Sequence, residues 1–512
     1  MKTFPHYRGL FALLLTLAVG FVGCDSDGDD PPPSVSDFCA ENSAAFGCPD
    51  SGTEYDTLGT DVNGRTLIEV EDGGGGIGGA LGTDARTSVT WSSDFTYVLD
   101  GLVFVNDGQT LEIEPGTVIR GRSGQGRNSS ALVVARGGRI EANGEATAPI
   151  VMTALNDDIE DPNDLVQDGA PIAGQWGGLI VLGAAPTNIA IGETPIEGLE
   201  PSDPRSLYGG TNANDDSGII RYVSIRHGGT LIGEGNEING FTLGAVGAGT
   251  TIEYVEVFAN QDDGVEWFGG TAQAKYLVVS YSGDDAFDYD LGYNGVNQYL
   301  LGFMDDSFGD NGGEFDGGDS ELSDGEDGMP FARPVFANMT LVGSGLNAAN
   351  SSRAMTLRDN AGGQYWRSIF YDFQNGVRIE DRDDDDETEE NEGGDSRERL
   401  ESGDIAFVDA VFDNVVSNAP SFNDVFGLYE EVPAGEEDFD PALLAGPVLF
   451  QSAGLTVNRG QGGALSLTPS GLPAPTVSLP GGFLDETDFI GAFGAENWID
   501  GWTALSQYNS VN

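Results

Sequence analysis

The sequence predicts an all-β chain wound as a right-handed parallel β-helix of about 22–23 residues per coil with a C-terminal capping region. β-Branched and aromatic residues alternate in short runs punctuated by Gly, Asn and Asp, and long amphipathic helical patterns are nearly absent. Three consecutive segments align: TIEYVEVFANQDDGVEWFGG from Thr251, AKYLVVSYSGDDAFDYDLG from Ala274 and NQYLLGFMDDSFGDNGGEFDGG from Asn297. Tyr254, Tyr276 and Tyr299 therefore recur at spacings of 22 and 23. Three short strands and their turns need about that many residues at a strand rise of about 3.3 Å. A compact sandwich or jelly roll would not repeat the same residue types at the same offset.

The chain begins with MKTFPHYR, basic at Lys2 and Arg8, followed by the apolar run GLFALLLTLAVGFVG. That run is too short to span a bilayer stably and ends on a small residue before Cys24, so residues 1–23 read as a signal peptide. In residues 24–60, Cys24 is followed by DSDGDDPPPSVSD, acidic and Pro-rich with too little apolar surface to fold, and the segment reads as a tether. Cys39 and Cys48 would close a short loop as a disulfide in an oxidising compartment. Residues 61–404 carry the coils, interrupted by acidic, apolar-poor insertions at 316–330 and 380–404. From Ile405 the segment AFVDAVFDNVV reads as helical, and 405–512 supplies the last coils and a cap. In that cap Phe489, Phe493, Trp498 and Trp502 would cover the exposed edge of the final coil, which would otherwise invite aggregation.

A formal charge of -62 excludes nucleic acid as a partner, because a phosphate-binding face needs clustered Lys and Arg. The only lysines are Lys2 and Lys275. Such an acidic, lysine-poor surface suits high salt, where screening relieves self-repulsion.

Within the aligned coils the carboxylates recur in register: Asp262, Asp263 and Glu266; then Asp284, Asp285, Asp288 and Asp290; then Asp310, Glu314 and Asp316. Coil stacking places equivalent residues about 4.8 Å apart. Two like charges at that separation repel by roughly 3 kcal/mol at an effective dielectric of about 20. Protonation, screening or a bound cation must offset this. Ca2+, with ligand distances of about 2.4 Å, bridges two oxygens so spaced. The expected cofactor is Ca2+ on Asp262, Asp263, Glu266, Asp284, Asp285, Asp288 and Asp290. His227 in RHGG is the only histidine beyond the leader, which excludes a His-based zinc cage and leaves a turn histidine bonded to a neighbour as its expected role. Lys275, beside the acidic coils, suggests a local ion pair.

The segment Phe21-Val22-Gly23-Cys24 resembles the bacterial lipobox, which implies lipidation of Cys24 and a membrane partner through that lipid. Acidic residues directly after it resemble the surface-export signal of Bacteroidota lipoproteins, implying the outer membrane or cell surface, with a periplasmic or secreted protein as the alternative. GQWGGLIVLGAAPTN, FTLGAVGAGTTIEYVEVFANQDDGVEWFGG and TDFIGAFGAENWIDGWT resemble uncharacterised bacterial secreted or lipid-anchored proteins with a pectin-lyase-like β-helix. That superfamily implies polysaccharide lyases and hydrolases, adhesins and surface structures. Asp284-Asp285, Arg226-His227-Gly228 and Arg378-Ile379-Glu380 only partly match the polygalacturonase elements: the His element comes first, and Glu380 stands where that family has lysine. Two functions follow. One is a cation-stabilised surface protein that is structural or binds a glycan or another surface protein. The other is a Ca2+-dependent polysaccharide lyase or hydrolase, with Arg226 or Lys275 as base. The first is preferred, because no acid, base and substrate set converges in the sequence.

Overall fold

The computed structural model describes residues 57–61, 63–72, 77, 87–162, 164–167, 169–231, 238–318, 328–381, 394–429, 439–444 and 446–511. The leader, Cys24, and the Cys39–Cys48 pair lie outside them. Each coil has three faces. In the coil beginning at Thr251, the strand Thr251–Phe258 forms the first two and Val265–Phe268 the third. Successive coils pair in parallel: Val255 opposes Leu277, which opposes Leu300, and Val265 opposes Phe287, which opposes Gly313. Among the described residues the third face is a ten-stranded sheet, and the first two merge into one continuous sheet. At the start Thr66–Glu71 joins the second face, parallel to Phe95–Asp100 and antiparallel to Thr57–Thr60.

The first and second faces meet at a corner where one residue per coil takes a left-handed backbone. Tyr222, Tyr254, Tyr276, Tyr299, Asn338, Arg367 and Asp409 hold it, with φ between 47° and 63°. Tyrosine there is strained, since its Cβ crowds the following carbonyl. Stacking offsets the strain: the rings of Tyr222, Tyr254, Tyr276 and Tyr299 lie face to face with centroids 4.3, 4.2 and 4.6 Å apart. The repeated tyrosines thus form one column on the flank of the coil. Inside the coils, Tyr289, Phe315, Phe336, Tyr365 and Phe407 stack along the axis as the core, and Trp267 meets Phe336 edge-on.

Two expectations fail here. AFVDAVFDNVV is not helical: Ile405–Val408 and Ala410–Asp413 are strands of the first and second faces, split by Asp409 at the left-handed corner. The C-terminal aromatics do not cover the end of the last coil. The tail runs back along the flank, with Trp498 against Tyr254 and Tyr276, Trp502 against Tyr222 and Tyr254, and Phe489 beside Tyr299. A stacked tyrosine column is itself an apolar surface that needs covering. At the coil end Phe422, Phe439 and Phe450 pack together instead, with Phe426 among them. An excursion between Leu179–Leu182 and Gly218–Arg226 folds over the lower third face, where Ile189, Ile196, Leu199 and Tyr208 cover Phe104, Val133, Ile180, Leu182 and Phe268.

Candidate metal centre

Alternation on the third face turns Val265 and Trp267 into the core and leaves Glu266 outside it. Parallel register then stacks Glu266, Asp288, Glu314, Thr356 and Arg378 in one column. Along the same strands, Asp316 opposes Arg358 in the next coil. The turns leading into these strands carry the second set. The backbone N–H of Asp285 donates to Asp263 Oδ1 at 2.8 Å, and that of Asn311 donates to Asp285 Oδ1. Asn311 Nδ2 also donates to Asp285 Oδ2 at 3.2 Å. Each turn is thereby tied to the one below through a carboxylate.

Three overlapping triads result: Asp262, Asp263 and Asp284; Asp263, Asp285 and Asp288; Asp284, Asp285 and Asp310, each with oxygens within 4.8 Å of one another. Asp263 and Asp285 are buried, at 8 % and 2 % exposure. Burial, with the neighbouring charges adding to it, holds the carboxyls of Asp263, Glu266, Asp285 and Asp288 well above the usual carboxylate range. Asp288 Oδ1 is shut off from solvent without a hydrogen-bond partner among the described residues. An oxygen-only donor set at this spacing, with one buried oxygen unused, fits a hard dication such as Ca2+.

Five of the sequence-predicted residues, Asp262, Asp263, Asp284, Asp285 and Asp288, converge in these triads. Glu266 lies on the same face but turns to Asn239, whose amide donates to it and, at 3.2 Å, to Glu197 on the excursion. Asp290 lies outside the triads and accepts the N–H of Leu291. Reading the sequence missed Glu197, Asn239, Asn311 and Arg358. Arg358 bonds Glu314 at 2.9 Å and Asp316 at 2.8 Å and closes the column with positive charge. Another acidic trio, Glu69, Glu71 and Asp100, already has a cation, since Arg122 bonds Glu69 and lies 3.4 Å from Asp100.

The groups proposed as bases are not at this site. Arg226 ends a second-face strand and bonds Ser224 at 2.8 Å and Gln507 at 3.2 Å. Lys275 forms an ion pair, but with Asp485 of the tail at 2.7 Å. Arg378 does share the third face, its guanidinium 3.3 Å over the Tyr429 ring. It lines a groove of about 470 Å3 with Arg353, Gln374, Asn375 and Tyr429, on the coils beyond Glu314 in the same column.

A three-faced parallel coil with an acidic ladder on one face defines a right-handed parallel β-helix protein of the pectin-lyase-like kind. Residues 82–432 match the family model described as pectate-lyase like beta helix domain, and the chain belongs to that family. Searches of curated proteins and of solved structures return no match.

Proposed function

We propose that the protein is a lipid-anchored, surface-displayed β-helix that binds Ca2+ on its acid column and holds acidic extracellular polymer on the third face. The leader ending at Cys24 and the acidic tether support the anchoring. The observation that carries the metal reading is the Asp263, Asp285 and Asp288 triad with its unpartnered Asp288 oxygen. Asp262, Asp263, Asp284, Asp285 and Asp288 would hold the ion, which when bound supplies positive charge to a face that would otherwise repel a polyanion. Arg353 and Arg378, beside Tyr429, add fixed positive charge and a stacking surface in the adjoining groove. Elemental analysis of purified protein, melting curves with and without chelator, and retention on immobilised polygalacturonate with and without Ca2+ test this. Retention that ignores chelator, or protein free of Ca2+ whose melting ignores it, would refute the reading.

A lyase is the second reading, favoured by Arg358 standing beside the column, opposite Asp316 and bonded to Glu314. Its pKa is held above the ordinary arginine value by Asp316 and Glu314, which outweigh the opposing effect of burial, and this argues against its serving as a base. Ultraviolet absorbance from unsaturated sugar ends, formed from polygalacturonate in Ca2+ and lost in Arg358→Lys, would favour the lyase instead.

A further inference from the structure

The tyrosine column ends at Tyr222, on the side of the N-terminal coils. Tyr254 stacks on one face of the Tyr222 ring at 4.3 Å, and Trp502 of the tail meets the ring edge-on at 5.5 Å. No ring packs on its other face among the described residues. Arg221 opposes Asn143 in the coil below, so the corner position beneath Tyr222 falls to Gly144. A Cβ there would lie 2.6 Å from the Tyr222 carbonyl oxygen, and the position carries no side chain to continue the stack. Below the ring lies a groove of about 690 Å3, which Tyr222 lines together with first-face residues of the three coils beneath it.

The polar wall of the groove is set by the strands. Alternation turns Leu111, Ile113, Ile140 and Ala142 into the core and leaves Glu112, Glu141 and Asn143 outside it. Parallel register then places Glu112 opposite Glu141. The hydroxyls of Ser88 and Thr90 donate to Glu112 at 3.3 and 3.1 Å and hold it from below. Arg139 Nε donates to Glu141 Oε1 at 2.5 Å, and Oε2 keeps its lone pairs for another donor. Arg221 is held by Glu253 at 3.0 and 2.8 Å, and its Nη1 donates to Asn143 Oδ1 at 3.3 Å. With its oxygen so engaged, the Asn143 amide offers its Nδ2 hydrogens beside the Glu141 acceptor.

We propose that this groove is a carbohydrate subsite, which takes an uncharged, glucose-configured pyranose of a β-linked glycan stacked on Tyr222. A pyranose whose hydroxyls are all equatorial shows C–H groups on both ring faces, and these pack against the electron-rich face of an aromatic ring. The sugar becomes the next ring of the column. Hydroxyls at its rim donate to Glu112 and Glu141 in charge-assisted bonds and accept from Asn143. Charge decides against a uronate. Glu112, Glu114, Glu141 and Glu145 line the groove, whereas Arg221 is paired with Glu253, and Arg139 behind Glu141 is also paired with Asp216 at 2.7 Å. The volume falls within the range of about 300–1,000 Å3 usual for small-molecule sites and admits more than one sugar ring. Unlike the acid column, the subsite works without a metal.

Isothermal titration of the purified protein with cellohexaose, laminarihexaose and hexagalacturonate, each in Ca2+ and in chelator, tests the assignment. At least one of the two glucans should bind, equally well in both buffers, and hexagalacturonate should not bind in chelator. Tyr222→Asn keeps a residue that tolerates the left-handed corner at φ 47° and removes the stacking face. Affinity for the glucan should fall at least about tenfold in this variant and in Glu141→Ala, and stay unchanged in Asp288→Asn. Failure of both glucans to bind at millimolar concentration overturns the proposal, as does hexagalacturonate binding in chelator as tightly as a glucan. Should Tyr222→Asn fail to fold, Glu141→Ala decides alone, and undiminished affinity there also overturns it.

Discussion

Asp285 donates its backbone N–H to the Asp263 carboxylate one coil below, at 2.8 Å, while its own carboxylate receives the N–H of Asn311 one coil above. The coil geometry that stacks these carboxylates also gives each one a fixed donor. What it does not supply is enough positive charge, since Arg358, which stands beside this column three coils from Glu266, is engaged with Glu314 and Asp316.

Stability should therefore respond to pH in opposite directions with and without Ca2+. The folded carboxyls of Asp263, Asp285 and Asp288 stay protonated above the ordinary aspartate value of 3.8, so the folded state binds more protons than the unfolded one. In chelator, stability is then lost as pH rises above about 4 towards neutral, because only the unfolded chain ionises freely. With Ca2+ the ionised forms are the binding forms, and the gain over chelator grows with pH. Melting temperatures across pH 4–8 in both buffers check this, and parallel profiles would contradict it.

Asp288→Asn should separate charge from fold. The substitution removes a buried carboxyl with an unpartnered oxygen and supplies an amide donor beside Asp263 and Asp285, stabilising the chelated protein by about 1 kcal/mol. In Ca2+ at a hundred times its Kd the wild type gains about 2.7 kcal/mol, and the variant should lose most of that increment. Denaturant midpoints with and without Ca2+ provide the measurement. A variant that keeps the full increment would place the ion elsewhere.

How much of this was legible follows from where the period holds. Tyr254, Tyr276 and Tyr299 keep one offset, so the coil and the acid register could be read directly. Asn239 and Asn311 fill the places of Asp263 and Asp285, each just before a third-face strand; the change from carboxylate to amide concealed the equivalence. Arg358 was hidden because the insertion after Asp316 lengthens the step to the next third-face strand, and a fixed spacing no longer finds it. The corner after Tyr299 passes to Asn338, Arg367 and Asp409, which share a backbone conformation and no side-chain chemistry. For the same reason the Asp409 corner was invisible inside AFVDAVFDNVV. The flank position of the tail rests on side chains reaching backbone groups, a kind of contact that leaves no periodic trace.

The tyrosine column allows strain and stacking to be measured apart. Tyr276 stacks on Tyr254 and Tyr299 and meets the edge of Trp498 at 5.3 Å, with φ 62°. Tyr276→Ala removes these contacts and leaves a residue poorly suited to that backbone, costing about 3 kcal/mol. Tyr276→Asn loses the same contacts but tolerates the left-handed corner, as Asn338 does two coils on, and should cost about 1 kcal/mol less. Equal destabilisation of the two variants in urea unfolding would show that the backbone conformation contributes nothing.

The tail is held by the same corner residues, and Arg367 is the strongest single fastening. Its side chain is 2 % exposed, and its guanidinium donates to Thr487, to the Val477 carbonyl at 2.7 Å and to Glu486 at 2.5 Å. Neighbouring corners act alongside it: Asp409 accepts the N–H groups of Thr476 and Val477, and Asn338 donates to the carbonyls of Phe489 and Gly491. Arg367→Met fills the same space but leaves the Val477 and Thr487 carbonyls without their donor, at a cost of about 3 kcal/mol. The loss should fall on the tail before the coils, since the core aromatics lie on the opposite side of the corner. Hydrogen exchange should therefore quicken across residues 476–491 while the third-face strands keep their protection. Uniform loss of protection would mean that the tail and the coils unfold as one unit.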